Sequence, residues 1–391
     1  MKRILFVDDE SHVLDGLRRM LHSYRSEWRM TFASSGAEAL RSLAALPCDV
    51  IVTDMRMPGI SGAELLVQVS LQYPHIIRIV LSGMCDREQA LSAAVLAHQF
   101  LAKPCDAAIL KKVVDGAASV HATIENTGLK SFISRLKSLP SMPAVYTELV
   151  DAARDPNVSV ARLGAIVSKD VAMTSKVLHL VSSSLFGIRR AVLAPAEACV
   201  YLGVDTIQAL VLSLGVFSQY RGTGPFSVKQ LQTHSLRTAT LAKELAMAEH
   251  FSKSAVGEAF LAGMLHDIGK LVLAMNCTRD YDKCLSLAAA GNFAIVDVEL
   301  STFGITHADA GMYLLRLWGL PDSIVEAVSL HHQPSGSSAS SPAPLTMVHA
   351  ADVLTREEEN WPRSNFDMEY LSRVGLHSRI AHWRTLSRRT E

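Results

Sequence analysis

Several features that would classify the 391-residue chain quickly are missing. It has six cysteines, Cys48, Cys85, Cys105, Cys199, Cys277 and Cys284, and no two of them form a C-x-x-C pair. That excludes a disulfide scaffold and thiolate zinc, and fits a reduced, cytoplasmic compartment. No stretch reaches the about 18 uninterrupted apolar residues of a membrane span. The apolar run after Lys2 and Arg3 covers Ile4 to Val7 before Asp8, too short for a signal peptide. Net charge is absent as well, with 38 Lys+Arg against 38 Asp+Glu, so the whole chain has no electrostatic footprint for nucleic acid or anionic lipid. Without a helix-turn-helix signature or a basic recognition helix, direct DNA binding is not expected. A hydrophobic content of 49% excludes disorder as the dominant state, and the length allows two or three domains of roughly 100 to 200 residues. The sequence predicts a soluble protein without a membrane partner.

Short apolar, β-branched runs do recur through residues 2 to 120: RILFV, MTFAS, DVIVT, IIRIVLS and HQFLA, separated by helix-length segments. Five such strands with intervening helices predict a doubly wound α/β domain with a parallel sheet covered on both faces. In that architecture functional groups gather at the carboxyl ends of strands. Asp8 and Asp9 follow the first run, Asp54 ends the third, Ser82 follows the fourth and Lys103 the fifth. Beyond residue 120 the strand pattern gives way to Leu, Ala and Val at three- and four-residue spacings, which predicts an all-α region. The Ser-rich stretch from Pro334 to Pro344 reads as an exposed loop, and the Arg-rich end, 371–391, as a solvated tail.

Three carboxylates at neighbouring strand ends repel one another, and a hard divalent cation relieves them; Mg2+ is the expected ion. One carboxylate can then attack a phosphoryl donor while Lys103 neutralises the equatorial oxygens and Ser82 donates to them. The spacing of 46 residues from Asp8 to Asp54 and 49 from Asp54 to Lys103 makes this pattern specific. With FVDDE, TDMRMPGISG, LSG and FLAKP in these places, residues 1–121 resemble a response-regulator receiver domain. The resemblance implies that Asp54 is the phosphoacceptor and that a sensor histidine kinase or phosphotransfer protein is the donor. It further implies that Asp9, Asp54 and the Arg56 backbone carbonyl bind Mg2+, with Asp8 acting through water. Lys103-Pro104 is expected to be a cis peptide. Phe100 matches the aromatic switch position, so the signal is expected to leave through Ser82 and Phe100.

The second half carries His234, the pair His266-Asp267, His307, the pair His331-His332, and Asp352. Imidazole and carboxylate without thiolate suit a first-row divalent ion such as Mn2+, Fe2+ or Zn2+, and there are more ligands than one ion requires. Adjacent residues on a regular helix point roughly 100° apart. His266 and Asp267 can therefore flank one ion only if the helix ends there, and Gly269 offers such an end. Two metal ions are conceivable. The lone His349 reads as a hydrogen-bonded core residue.

The segments LPSMPAVYTELV, VSVARLGAIVSKDVAMTSKVLHLVSSSLFG and AEACVYLGVDTIQALVLSLG, followed by LHDIGK and VHAADVLT, resemble the HDOD family, output-domain relatives of the HD metal phosphohydrolases. On that basis residues 122–139 form a linker helix, 140–356 the HD-like domain and 357–391 a tail. The resemblance implies His234, His266, Asp267 and Asp352 around one ion, and His307, His331 and His332, which match positions that the related HD-GYP phosphodiesterases use as ligands, near a second, with Asp267 bridging. Where those enzymes continue with Glu and a DGxGYP loop, this chain has HHQPSGSSAS, with Gln333 in place of the acid. Two readings follow. In one, the receiver controls a non-catalytic HDOD domain that binds a downstream signalling protein, with a homodimer as one form. In the other, the same site is a phosphohydrolase acting on a cyclic dinucleotide or other nucleotide, with Lys270 or a non-ligating His contacting the phosphate.

Overall fold

The computed structural model describes residues 2–73, 76–82, 97, 99–103, 105, 107, 110–111, 114–115, 127–133, 136, 139–140, 142–155, 157–181, 186, 192–220, 222, 224–291, 293–359 and 365–388. The chain divides into two compact units, Met1–Ser141 with Tyr313–Leu320, and Met142–Met312 with Pro321–Glu391.

The first unit is built on a five-stranded parallel sheet in the order β2-β1-β3-β4-β5, formed by β1 Lys2–Val7, β2 Trp28–Ala33, β3 Val50–Asp54, β4 Ile77–Ser82 and β5 Gln99–Ala102. β3 is buried along its whole length, and so are the last four residues of β1, as expected of central strands covered on both faces. The strand order reverses around β1 and β3, which opens a crevice at their carboxyl ends. Helices Ser11–Met20, Gly36–Ala45 and Gly62–Gln72 accompany the strands. Ser61 and Glu64 form a capping box at the start of the last one. That helix must begin with glycine. A Cβ on Gly62 would stand 2.0 Å from the Asp54 carbonyl oxygen, so only glycine lets the helix start against the end of β3. In register, Ser82 pairs with Ala102 and Phe100 with Val80. The Ser82 and Phe100 side chains and the Lys103-Pro104 peptide geometry lie outside the described residues.

Helix Thr127–Ile133 falls within the expected linker. From Ala144 on, the second unit is all α among the described residues. Helix Val204–Phe217 is buried on nearly every side and forms the core of its first half. In its second half, Val228–Ala248 packs against Lys253–Leu265 and Pro344–Glu358. Residues 344 to 356 of the last helix are all buried, so any polar group it carries faces protein.

Two sequence readings differ from the structure. The expected solvated tail contains helices Met368–Arg373 and Ile380–Ser387, which bury Tyr370, Leu371 and Trp383. Trp383 Nε1 and Arg379 Nε both donate to Glu249 Oε1 at 2.8 Å, and Arg384 pairs with Glu357, so apolar anchoring and ion pairs outweigh the basic character. The Ser-rich loop is exposed at Ser338 and at Ser340 to Pro342, but Pro334 and Ser337 are buried. The Ser337 hydroxyl donates to Glu326 at 2.7 Å, and the Ser337 carbonyl accepts from Arg373 at 2.6 Å. Among the described residues no helix is long and apolar enough to cross a membrane.

Candidate functional site

At the β1/β3 crevice Asp8 is buried and Asp54 nearly so, while Asp9 is exposed in the loop beyond β1. Lys103 Nζ lies 2.7 Å from Asp8 Oδ2 and also contacts Asp54 Oδ1, bringing together the three groups that the spacing pointed to. The other Asp54 oxygen accepts the Arg56 backbone N–H at 2.5 Å, and Asp8 Oδ1 accepts the Glu10 N–H at 3.0 Å. Burial works against the Lys103 charge, yet the hydrogen bonds and charges of Asp54 and Asp8 outweigh it and hold the ammonium above its usual range. The arrangement is a fixed carboxylate with a resident cation at its edge. Its carboxylates are hard oxygens of the kind that Mg2+ takes.

The helical unit gathers all seven predicted ligands in one buried cluster. Helix Lys253–Leu265 does end at His266, and Asp267 starts helix Ile268–Asn276, so the two neighbours sit at a helix break from which both reach one site, as the sequence requires. Gly269 has a different part from the expected helix end. It lies inside the second helix, where a Cβ would be 1.8 Å from the His307 carbonyl oxygen and 2.6 Å from Gly311 N. Its missing side chain lets Asp267 and His307 approach. His307 opens helix His307–Leu317, where Thr306 and Asp309 cap one another. His331 ends helix Asp322–Leu330, and Asp352 projects from Pro344–Glu358.

Four of the five histidines have the same orientation. His234 Nδ1 faces Glu359 at 3.0 Å, His307 Nδ1 faces Glu299 at 2.6 Å, His266 Nδ1 faces the Gly263 carbonyl at 2.7 Å and His331 Nδ1 the Val328 carbonyl at 2.8 Å. These acceptors select the tautomer with the proton on Nδ1 and aim every Nε2 lone pair inward. There His234 Nε2 meets Asp352 Oδ1 at 3.0 Å, and His307 Nε2 meets Asp267 Oδ1 at 3.0 Å. Lone pair facing lone pair requires a cation, either a proton or a metal ion. His266 Nε2, His331 Nε2 and Asp267 Oδ1 are buried without a hydrogen-bond partner. These donors fit a first-row divalent ion.

The ligands divide differently from the expected grouping: His234, His266 and Asp352 on one side, Asp267, His307, His331 and His332 on the other. Asp267 changes group because its Oδ1 is turned to His307 and His331, while Oδ2 is held by Lys270 Nζ at 2.5 Å. Oδ2 also lies 3.4 Å from His266 Nε2 and 3.8 Å from His234 Nε2, so Asp267 spans both groups. His332 Nε2 faces His307 Nε2 at 3.0 Å. Burial disfavours charge on His266, but Asp267 and Asp352 push it up to about 9. Burial also opposes ionisation of the two aspartates; Lys270 with His266 holds Asp267, and Arg356 with His234 holds Asp352, well below the usual carboxylate range. His331 and His332 are driven down by burial and by neighbouring imidazoles. His349 is the expected core residue, with Nδ1 facing the His331 carbonyl at 2.7 Å and Nε2 accepting from Asp367 N at 3.0 Å.

Sequence reasoning missed three residues. Glu299 and Glu359 orient His307 and His234, and Arg356 sets Nε 2.7 and 2.9 Å from the two Asp352 oxygens. The available sign was the Asp352 to Arg356 spacing of four on one helix.

Comparison with known proteins agrees with this geometry. A response regulator receiver domain matches residues 4–115, and an HDOD domain matches residues 139–334. An uncharacterized protein of Treponema pallidum is 28% identical over 204 residues, 52% of this chain and 39% of that protein. The hydrogenase transcriptional regulatory protein HoxA of Cupriavidus necator is 36% identical over 135 residues, 34% of this chain and 26% of HoxA. The chain thus spans well under half the length of both curated relatives. The crystal structure of an HDOD domain protein of unknown function from Geobacter sulfurreducens superimposes with a TM-score of 0.52 at 23% identity, covering 69% of this chain and 99% of that one, a likeness of fold. The chain belongs to the HDOD family and carries a response-regulator receiver domain at its N-terminus.

Proposed function

We propose that the protein is a two-component response regulator in which phosphorylation of Asp54 controls an HDOD signalling domain that holds a divalent metal ion. On this reading residues 1–121 receive the phosphoryl group from a sensor histidine kinase or phosphotransfer protein, and 140–356 address a downstream signalling protein. The observation that supports the first step is Lys103 set between Asp8 and Asp54. Asp54, fixed by Lys103 and the Arg56 N–H, is the nucleophile; Lys103 then stays beside the transferred group, and Ser82 on β4 donates to it. Asp8, Asp9, Asp54 and the Arg56 carbonyl would hold Mg2+, which supplies charge neutralisation on the phosphoryl oxygens. In the helical domain His234, His266, Asp267, His307, His331, His332 and Asp352 would hold Mn2+, Fe2+ or Zn2+.

The test is labelling with acetyl phosphate in the presence of Mg2+. We expect stoichiometric labelling of the wild type and none of Asp54→Asn, because an amide is a poor nucleophile. Labelled Asp54→Asn would overturn the assignment.

One feature favours the hydrolytic reading, the placement of Asp267 between both ligand groups, as a bridging carboxylate requires. Turnover of a cyclic dinucleotide or other nucleotide by Mn2+- or Fe2+-loaded protein, lost in the His266→Ala, Asp267→Ala double variant, would establish it.

A further inference from the structure

The chain's own cations are distributed unevenly over the two ligand groups. Arg356 is buried on the same helix as Asp352, its Nε 2.7 and 2.9 Å from the two carboxylate oxygens, and His234 faces one of those oxygens at 3.0 Å. Arg356 Nη2 also lies 3.8 Å from Asp267 Oδ2, which Lys270 contacts at 2.5 Å. His266 Nε2, the orphan atom of this group, stands 3.4 and 3.5 Å from the same two held oxygens, Asp267 Oδ2 and Asp352 Oδ1. On the far side Asp267 Oδ1 has no hydrogen-bond partner, nor has His331 Nε2, and the two face each other at 3.8 Å with His307 Nε2 3.0 Å from the oxygen.

We propose that Arg356 takes the place of a second metal ion, so that the helical domain holds one divalent ion, on Asp267, His307 and His331 with His332 beside them. This rests on the metal reading above and specifies its number and place. A guanidinium does not deprotonate in a protein. An ion at coordination distance from Asp352 would therefore sit next to a permanent positive charge in a buried, low-dielectric site. Asp352 is already paired with Arg356 and Asp267 Oδ2 with Lys270, which leaves Asp267 Oδ1 as the carboxylate oxygen turned to His307 and His331. In the group of His234, His266 and Asp352 the arginine holds the carboxylate.

The experiment counts Zn2+ in the full chain, loaded in excess Mg2+, desalted and measured by plasma mass spectrometry. The wild type should hold one ion per chain, Arg356→Lys one and Arg356→Met two. Independently of whether Arg356→Met folds, His331→Ala should lose the ion and His266→Ala should keep it, with circular dichroism confirming helical content. Two ions in the wild type, one in folded Arg356→Met, or loss in His266→Ala with retention in His331→Ala would each overturn the proposal. A wild type that takes no Zn2+ would instead remove the metal reading on which it rests.

Discussion

Glu299→Gln is the most informative single change in the helical domain, because it preserves shape and removes one charge. Glu299 is fully buried, and its Oε2 accepts both the His307 backbone N–H at 2.8 Å and His307 Nδ1 at 2.6 Å, while Oε1 accepts the Tyr281 hydroxyl at 3.2 Å. A hydrogen bond to a charged group contributes about 1.5–3 kcal/mol, and one between neutral groups about 0.5–1.5. If the amide oxygen keeps both His307 contacts, the imidazole loses charge assistance worth about 1 kcal/mol on the bond that fixes its tautomer. The amide NH2 then faces Tyr281, whose hydroxyl must reverse and leave its proton without the carboxylate in a fully buried position. A less basic, less fixed His307 should bind metal about 10- to 100-fold more weakly, or about 1.4–2.8 kcal/mol at 1.4 kcal/mol per decade. Zn2+ titration against a competing chelator measures the affinity, and 15N shifts of the His307 ring report its tautomer. Affinity within twofold of the wild type, with His307 still protonated on Nδ1, would refute the reasoning.

Two further perturbations test the architecture. Gly269→Ala places a Cβ 1.8 Å from the His307 carbonyl oxygen, so two backbones must separate; a loss of about 1–3 kcal/mol in chemical denaturation, with weaker Zn2+ binding, is expected, and unchanged stability would show that the helices have slack. In the receiver, Asp115 opposes its own burial with hydrogen bonds from Lys111, from Lys2 at 2.7 Å and from Trp28 at 2.9 Å, which hold its carboxyl below the usual value. A depressed folded-state pKa contributes stability that is full above the unfolded value of about 3.9 and fades as pH falls through the folded one. Asp115→Asn should therefore lower the Tm at pH 7, by an amount matching about 1 kcal/mol for partly exposed pairs, and the gap to wild type should narrow as pH falls below about 3.9; a gap independent of pH would contradict the assignment.

The receiver and the ligands of the helical domain were legible for the same physical reason. Polar residues at the ends of apolar strands, or alone on apolar helices, must be explained by chemistry, and Asp54, Lys103, His266 and Asp267 stand out against their neighbours. Glu299 and Arg356 do not. Glu299 lies in IVDVELSTF two residues from Asp297, and nothing in a helical period says which acid is buried until Gly304, at φ 71°, turns the chain so that His307 comes back over it. Arg356 opens the run REEE, which reads as a solvated helix end, whereas the structure buries the arginine and leaves the acids at the rim. Trp383 is hidden in an Arg-rich stretch, because local charge says nothing about a partner 134 residues away, Glu249.

Burial bears on which of the two readings the helical domain serves. His234, His266, Asp267, His307, His331 and Asp352 are each at most 1% exposed, and His332 is the most open of the seven, with 15% of its side chain accessible. Phosphoester hydrolysis requires an open coordination position and room for the substrate beside it, whereas a closed ligand set is the mark of a structural ion. Asp267 sits at one helix junction, His307 at the start of another helix and His331 at the end of a third, so an ion here would tie together elements that are otherwise joined by packing. Such a site couples ion binding to the arrangement of the helices. On the signalling reading proposed above, such a site would give the helical domain a fixed point, and the burial of its ligands favours that reading.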